Sequence, residues 1–315
     1  MLGFILKRLL SLIPILFGTS FITFLLIHLV PGDPAEAYLR LSQIPPTDEA
    51  IEYIRHELGL NQPLFVQYFT WLGNAFQFDF GTSFVSGDPV FEETIYYLLP
   101  TVQLTFVAFV ATIIISVPVG VFSAVYKDGV FDQISRLFAY IGASMPSFWL
   151  GFLLIYFFSY KLGIFPTGSR GTLAHLVLPT VTLCFLYTFT FTRLLRSSML
   201  EQMKQPFILY ARSRGLKENI VIGKHVLKLA ALPFITALGM SIGHMLAGTV
   251  IVESVFSWPG IGRYFVSAIL NRDYPVIQFS VLLLTIIFVF VNLLVDIIYA
   301  YLDPRIRWKG DHAND

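Results

Sequence analysis

The stretch 206–233, PFILYARSRGLKENIVIGKHVLKLAALP, is the part of the chain from which the rest can be read. It lies between two apolar runs and carries Arg212, Arg214, Lys217, Lys224 and Lys228, five of the 21 Lys and Arg residues. Pro206 suits the first turn of a helix, where its missing N–H is not needed. That helix is expected to reach Arg214, and Gly215 then supplies a turn open to few other residues. A second helix is expected from Leu216 to Leu232, with Pro233 marking the next helix start. At about 100° per residue, Lys217, Lys224 and Lys228 share one face, and Leu216, Ile220, Gly223 and Leu227 share another. A helix–Gly–helix bracket with a basic face, held between two spans, is suited to docking a soluble partner.

The runs on either side are apolar enough for a membrane. The chain is 56% hydrophobic, 16% aromatic and 13% charged, with a mean hydropathy of +0.71. Apolar runs near 20 residues recur, the length that crosses a bilayer core of about 30 Å. Six spans are expected, at about 9–30, 101–125, 137–160, 174–193, 234–256 and 276–301. Backbone in lipid must satisfy its own hydrogen bonds, so these spans are helices. The fold class is therefore all-α: a polytopic membrane protein forming one transmembrane domain over 1–315. With both termini placed in the cytoplasm, 15 of the 21 Lys and Arg fall on the inner side, as the positive-inside rule requires. The bracket then belongs to an inner loop, 194–233. Lys7–Arg8 ahead of an apolar run, with Ala35–Glu36–Ala37 after it, has the look of a cleavable signal. The run exceeds the usual ~7–15 residues of such signals, so an uncleaved first helix is expected.

The one large outer segment is 31–98. Pro31–Gly32–Asp33–Pro34 ends the first helix, and Thr47 to Leu58 reads as a helix with an acidic first turn. Ten Asp and Glu against Arg40 and Arg55 give this segment a net charge of −8. That field suits a cationic solute or a basic delivery protein, or reflects only the scarcity of positives on an outer face. Pro118 and Pro146 are expected to kink their spans. Small residues four apart allow close helix approach: Ser116, Gly120 and Ala124 within the protein, and Gly239, Gly243 and Ala247 either there or against a second subunit across a pore.

Polar groups at membrane depth each need a reason. His28 reads as interfacial, and Asp296, one turn after Asn292, as a packing or helix-end anchor. His244, between Met240 and Met245, reads as a hydrogen-bonded core histidine or as a transient contact in a path. Glu253 lies near the outer end of the fifth span. Cys184 reads as a small packing residue. There is no G-x-x-x-x-G-K-[ST] loop for phosphate, no H-E-x-x-H for zinc and no G-x-S-x-G nucleophile elbow. No cofactor is expected on this chain, and any energy it uses must come from a partner or an ion gradient.

Ala211, Gly215 and Leu232–Pro233 resemble the cytoplasmic signature loop of binding-protein-dependent ABC importer permeases. Leu209–Tyr210–Ala211 departs from that family's usual Glu–Ala–Ala. Asp79–Phe80–Gly81–Thr82–Ser83, Ser144–Met145–Pro146–Ser147–Phe148–Trp149, Trp258–Pro259–Gly260–Ile261–Gly262, Asn271–Arg272–Asp273–Tyr274–Pro275 and Leu302–Asp303–Pro304–Arg305 extend the resemblance almost end to end, within the peptide and nickel branch. Tyr38–Leu39–Arg40–Leu41–Ser42, followed by Pro45–Pro46–Thr47, is similar to the nickel-import permeases more narrowly. The resemblance implies that Ala211, Gly215, Leu232 and Pro233, with the basic face of Lys217, Lys224 and Lys228, couple to an ATPase. It also implies a second homologous permease, two cytoplasmic subunits that use ATP and Mg, an external solute-binding protein and a bacterial inner membrane, with membrane lipid and no nucleic acid as partners. The expected path residues are Gly239, Gly243, His244, Ala247 and Glu253, with no fixed metal site. Nickel, free or chelated, is the expected solute. Dipeptide or oligopeptide import by the same mechanism is the alternative, and an ion-driven secondary transporter is the other class.

Overall fold

A computed structural model describes residues 2–29 and 32–302, and among these every regular element is a helix. Arg305, Arg307 and Lys309, the Asp303–Pro304–Arg305 motif and the side chains of Lys7, Arg8 and Asp296 lie outside what is described. The chain divides into two compact units, residues 1–101 with 259–293 and residues 102–258 with 294–315.

The first unit contains α1 (Leu2–Leu29), α2 (Pro34–Leu41), α3 (Asp48–Glu57), α4 (Leu64–Ala75), the start of α5 (Val90–Val125), α12 (Ile261–Asn271) and most of α13 (Tyr274–Leu302). Of the short helices only α3 is legible beforehand, through Thr47, whose Oγ1 accepts the Ala50 N–H at 3.3 Å. Asp33 caps α2 through the Ala35 amide at 3.0 Å, and its other oxygen takes Arg55 of α3 at 2.9 Å. One carboxylate thus starts a helix and ties the next one to it. Tyr68 of α4 is buried against α1, with its hydroxyl 2.9 Å from Ser20 Oγ and the rings of Phe17, Phe21 and Phe24 edge-on around it. Phe80 lies 3.9 Å, centroid to centroid, from Phe279 of α13. Beside them Ser83 donates to Asp273 Oδ2 at 2.5 Å, with the Val85 amide donating to the same oxygen at 3.3 Å.

The second unit holds the rest of α5, α6 (Val130–Ser144), α7 (Ser147–Leu154) with a π-helical continuation Ile155–Lys161, α8 (Leu173–Gln202), α9 (Pro206–Ser213), α10 (Glu218–Ile220) with a π-helical stretch Val221–Val226, and α11 (Leu227–Val255). Among the described residues, five helices are long and apolar enough to cross a bilayer: Leu10–Leu29, Val90–Val125, Leu173–Gln202, Glu218–Val255 and Tyr274–Val295. The sixth expected span is broken. Val130–Gly142 and Ser147–Lys161 meet at 109°, and they make one span only if the bent pair is taken together. Pro146 explains the break. Its ring disfavours helical backbone in the residue before it, and Met145 is extended at φ −89°, ψ 122°.

Other prolines do not interrupt their helices. α5 runs through Pro100 and Pro118, so the second span begins at Val90 rather than near Thr101. Its 36 residues extend about 54 Å at 1.5 Å each, more than a ~30 Å hydrocarbon core. Glu92 and Glu93 in its first turn complement the helix dipole there. Pro233 also lies inside α11 instead of starting a helix, which corrects the expected boundary at Leu232–Pro233. A proline deep in a helix forfeits one backbone bond, a cost that packing between neighbouring helices can offset in a membrane protein. Gly120 shows how close that packing is: a Cβ there would lie 3.1 Å from Leu195 Cβ of α8. Ser116, Gly120 and Ala124 are all turned into the unit.

Candidate functional site: the 206–233 bracket and the exposed face of α11

The bracket is built by a helix end that needs glycine. α9 begins at Pro206 after an extended Gln205 and ends in a Schellman turn. The Gly215 amide donates to Arg212 O at 2.9 Å and the Leu216 amide to Ala211 O at 3.4 Å. Gly215 occupies the left-handed position of that turn at φ +76°. Across it, Arg212 of α9 grips Glu218 of α10 with two bonds, Nη2–Oε1 at 2.6 Å and Nε–Oε2 at 3.2 Å. Both partners are substantially exposed, so this pair contributes less than about 1 kcal/mol and mainly sets geometry.

The buried face differs from the expected one. Leu216, Ile220 and Gly223 are exposed, whereas Val221, Val226, Ala230, Phe234 and Leu238 form the inward stripe. The spacing is five residues, then four, four and four. The π-helical turn at 221–226 takes up the additional residue, which an α period cannot do. This stripe packs on Ile208 and Ala211 of α9 and on Phe191, Leu195 and Met199 of α8. Ala211 therefore fastens the bracket to the unit from within. Lys217, Lys224 and Lys228 are exposed, as are Leu232 and Pro233. Phe207, Leu209 and Tyr210 project from α9, the last two 67% and 65% exposed. The Arg214 guanidinium lies 5.9 Å from the Tyr210 ring centre. The bracket thus presents an apolar knob beside a basic face, on a base held by core packing.

One residue that braces this region was not legible beforehand. Asp132 in the first turn of α6 is fully buried and takes Arg196 of α8 in a two-pronged pair at 2.6 and 2.7 Å. The Asp128 amide donates to the same carboxylate at 2.9 Å, and Arg136 approaches it at 3.8 Å. Arg196 follows directly on Leu195, which lies in the core beneath the bracket. Removing Asp132 leaves the Arg196 guanidinium without its carboxylate, whereas removing Arg196 leaves Asp132 the Asp128 amide and Arg136 as partial compensation. In the sequence Arg196 reads only as one more positive near a span end. A carboxylate and an arginine 64 positions apart leave no local signal of pairing.

The residues expected to line a path divide between two faces of α11. Gly239 is turned toward α13, where a Cβ on it would collide with Val295. Gly243 is buried, and Glu253 is fully buried. His244 and Ala247 are exposed and share a stripe with Met240, Ile251 and Ser254. Successive residues of an i, i+4, i+8 series advance by about 40° on a helix, so 239, 243 and 247 pass from inside to outside. His244 donates from Nδ1 to the Met240 carbonyl at 3.1 Å, which leaves Nε2 as the ring nitrogen not used by the helix. Met245 is buried on the opposite face.

Two family models match the chain. The binding-protein-dependent transport system inner membrane component covers residues 116–308, and the N-terminal component of the same membrane subunits covers residues 1–107. The glutathione transport system permease protein GsiC of Escherichia coli strain K12 is 41% identical over 310 residues, spanning 98% of this chain and all of that protein. GsiC of Shigella flexneri serotype 5b is 40% identical over the same span. Among solved structures, the inward-facing MetNI methionine ABC transporter matches 67% of this chain and 96% of its own, at 19% identity and a TM-score of 0.57. An amino acid ABC transporter crystallised with histidines matches 68% and 94%, at 20% identity and a TM-score of 0.50. At these identities the structures speak for the fold. The sequence relatives and the family models carry the assignment: the chain belongs to the binding-protein-dependent inner-membrane components, the multi-pass permease subunits of ABC importers, in the peptide and nickel branch.

Proposed function

We propose that the chain is one of two permease subunits in an ATP-driven importer of peptide-like solutes, and that the 206–233 bracket receives the force of ATP hydrolysis. The bracket carries this reading: an apolar knob and a basic face on a left-handed glycine turn, fastened to α8 and α11 by a continuous core. A surface built in this way moves as one body with the spanning helices. Two cytoplasmic subunits that bind ATP and Mg would grip it, and their closure would re-pack the helices and open the path to the other side. Both termini lie in the cytoplasm on this reading, and an external solute-binding protein delivers to the opposite face. The bias of Lys and Arg supports that orientation.

The solute is peptide-like. The 41% identity to a glutathione permease over 98% of the chain supports this, and it outweighs the short Tyr38–Thr47 likeness and the acidic field that suggested nickel. The exposed stripe Met240, His244, Ala247, Ile251 and Ser254 mixes apolar and polar groups. It offers weak contacts to a solute that must also leave. Uptake of labelled glutathione, a labelled dipeptide and labelled nickel is to be measured in cells lacking only this chain, with and without the gene restored. Restored uptake of either peptide is expected. Restoration of nickel uptake alone would return the solute to the metal.

A further inference from the structure

The helix α4 is patterned inside out. Gln67, Thr70, Trp71 and Asn74 share one helix face, and all four line an open cavity of about 420 Å³ within the first unit. Phe65, Phe69 and Leu72, with Phe76 at the C-cap, make the opposite face. Of these, Phe65 and Phe76 are 71% and 80% exposed, and Phe69 is exposed as well. A surface helix in water turns its apolar stripe to the core and its polar stripe outward. In α4 the polar stripe looks into the unit and the apolar stripe looks out. Residues 58–78 also contain no Asp, Glu, Lys, Arg or His, although the outer segment around them has a net charge of −8.

The neighbours of α4 fix its depth. The Tyr68 hydroxyl lies 2.9 Å from Ser20 Oγ and 3.4 Å from Phe17 O. Ser20 is at the middle of the apolar span Leu10–Leu29, about 14 Å from its Leu29 end. Gln67 Oε1 lies 3.2 Å from Nε2 of His28, close to that end. On the other side, Trp71 and Ala75 pack against the cluster that contains Val276 and Phe279 of α13. Phe279 is about 8 Å inside the span Tyr274–Val295. The helix is thus held beside stretches of α1 and α13 that lie within their spans. Phe17 and Phe21 of α1 are exposed and touch the Tyr68 ring, which Phe69 also touches, so the exposed apolar surface of the span continues onto α4. At 12 residues, about 18 Å, α4 cannot itself cross a ~30 Å core.

We infer that α4 is a re-entrant helix immersed in one leaflet of the bilayer, with Phe65, Phe69 and Phe76 among the acyl chains. Its backbone meets the demand that lipid makes. Past the helix end, the Phe76, Gln77, Phe78 and Asp79 amides donate to the carbonyls of Leu72, Asn74, Ala75 and Asn74 at 2.9–3.2 Å. A delivery protein in water cannot reach a face at the depth of Ser20. The immersed helix anchors the acidic pair α2–α3 to the membrane. Only residues 58–63 separate α3 from α4, and Gln67 Nε2 fastens them by donating to Leu60 O at 3.1 Å and Gln62 O at 2.7 Å. In the orientation proposed above, the leaflet is the outer one.

The test uses the full-length chain, purified with its partner subunits and placed in phosphatidylcholine nanodiscs, which leave both membrane faces open and so do not depend on orientation. Phe65→Cys and Phe69→Cys replace exposed side chains, and Glu49→Cys on α3 is the reference in water. The parent, whose one cysteine, Cys184, is buried, gives the background. A charged maleimide should label both α4 variants at least about ten-fold more slowly than Glu49→Cys, because an apolar medium disfavours the reactive thiolate. The same cysteines, labelled in detergent with an NBD fluorophore before reconstitution, should be quenched by doxyl groups on the acyl chains, and the Glu49→Cys label should not. Labelling of both α4 variants as fast as the reference would place the helix in water and overturn the inference. Slow labelling without doxyl quenching would overturn it too, and would give the face to a protein partner.

Discussion

Gly215 has a backbone role that can be separated from any packing role. Its φ of +76° is left-handed, and no atom lies within 4 Å of where a Cβ would stand. Any side chain there therefore meets backbone strain of about 1–2 kcal/mol and nothing else, more for a β-branched residue and less for asparagine. Gly215→Val should abolish ATP-driven uptake while membrane insertion and assembly persist, and Gly215→Asn should retain a substantial part of it. Parent-level uptake in Gly215→Val at equal expression would remove the turn from coupling. A lone glycine between two helical runs made this residue legible in the sequence. Ala211 was legible only as part of a pattern. That it faces inward, onto α8 and α11, depends on helices that meet only in the folded unit. Glu253 is the opposite case: it was expected on a path, and the structure buries it fully within its unit.

At the scale of the element, the π-helical turn Val221–Val226 decides which face of the bracket is buried. It inserts one residue into the α period, so Val221 and Val226 both point inward although they are five apart. Deleting Gly223, which is exposed and has nothing near its Cβ position, should let this stretch become an ordinary α-helix with Val221 still on the buried stripe. Deleting Leu229, within regular α-helix, should instead turn everything before it by about 100° and expose that stripe. Thermal melting of the detergent-solubilised protein should therefore change little for the first deletion and fall sharply for the second. Equal losses from both would mean that the π turn does not set the register. An α-periodic reading of the sequence could not find this face, because a π turn has no signature in residue type. Pro146, by contrast, breaks its span as its chemistry dictates, while Pro118 and Pro233 sit in helices that continue through them.

At the scale of the molecule, Ser83 and Asp273 join parts of the first unit that are 190 residues apart in the chain. Burial pushes the Asp273 carboxyl above its ordinary 3.8, against the opposing pull of the Ser83 hydroxyl and the Phe84, Val85 and Val276 amides. A raised folded-state pKa means that the fold prefers the protonated form. The stability this confers is fully present below the ordinary carboxylate pKa and is lost as pH rises through the raised value. The melting temperature of the parent, compared with that of Asp273→Asn, should therefore climb as pH is lowered from about 7 toward about 4. A difference that stays flat or shrinks on acidification would contradict the raised pKa. By itself the sequence determined the membrane class, the approximate spans, the bracket with its glycine turn and the family, because apolar length, charge bias and motif order are properties of neighbouring residues. The tertiary structure alone decided which residues face inward at the bracket, the pairing of Asp132 with Arg196 and the division of the α11 residues between two faces. Each of these depends on groups brought together from distant parts of the chain, where burial and desolvation, rather than residue type, set what a side chain can do.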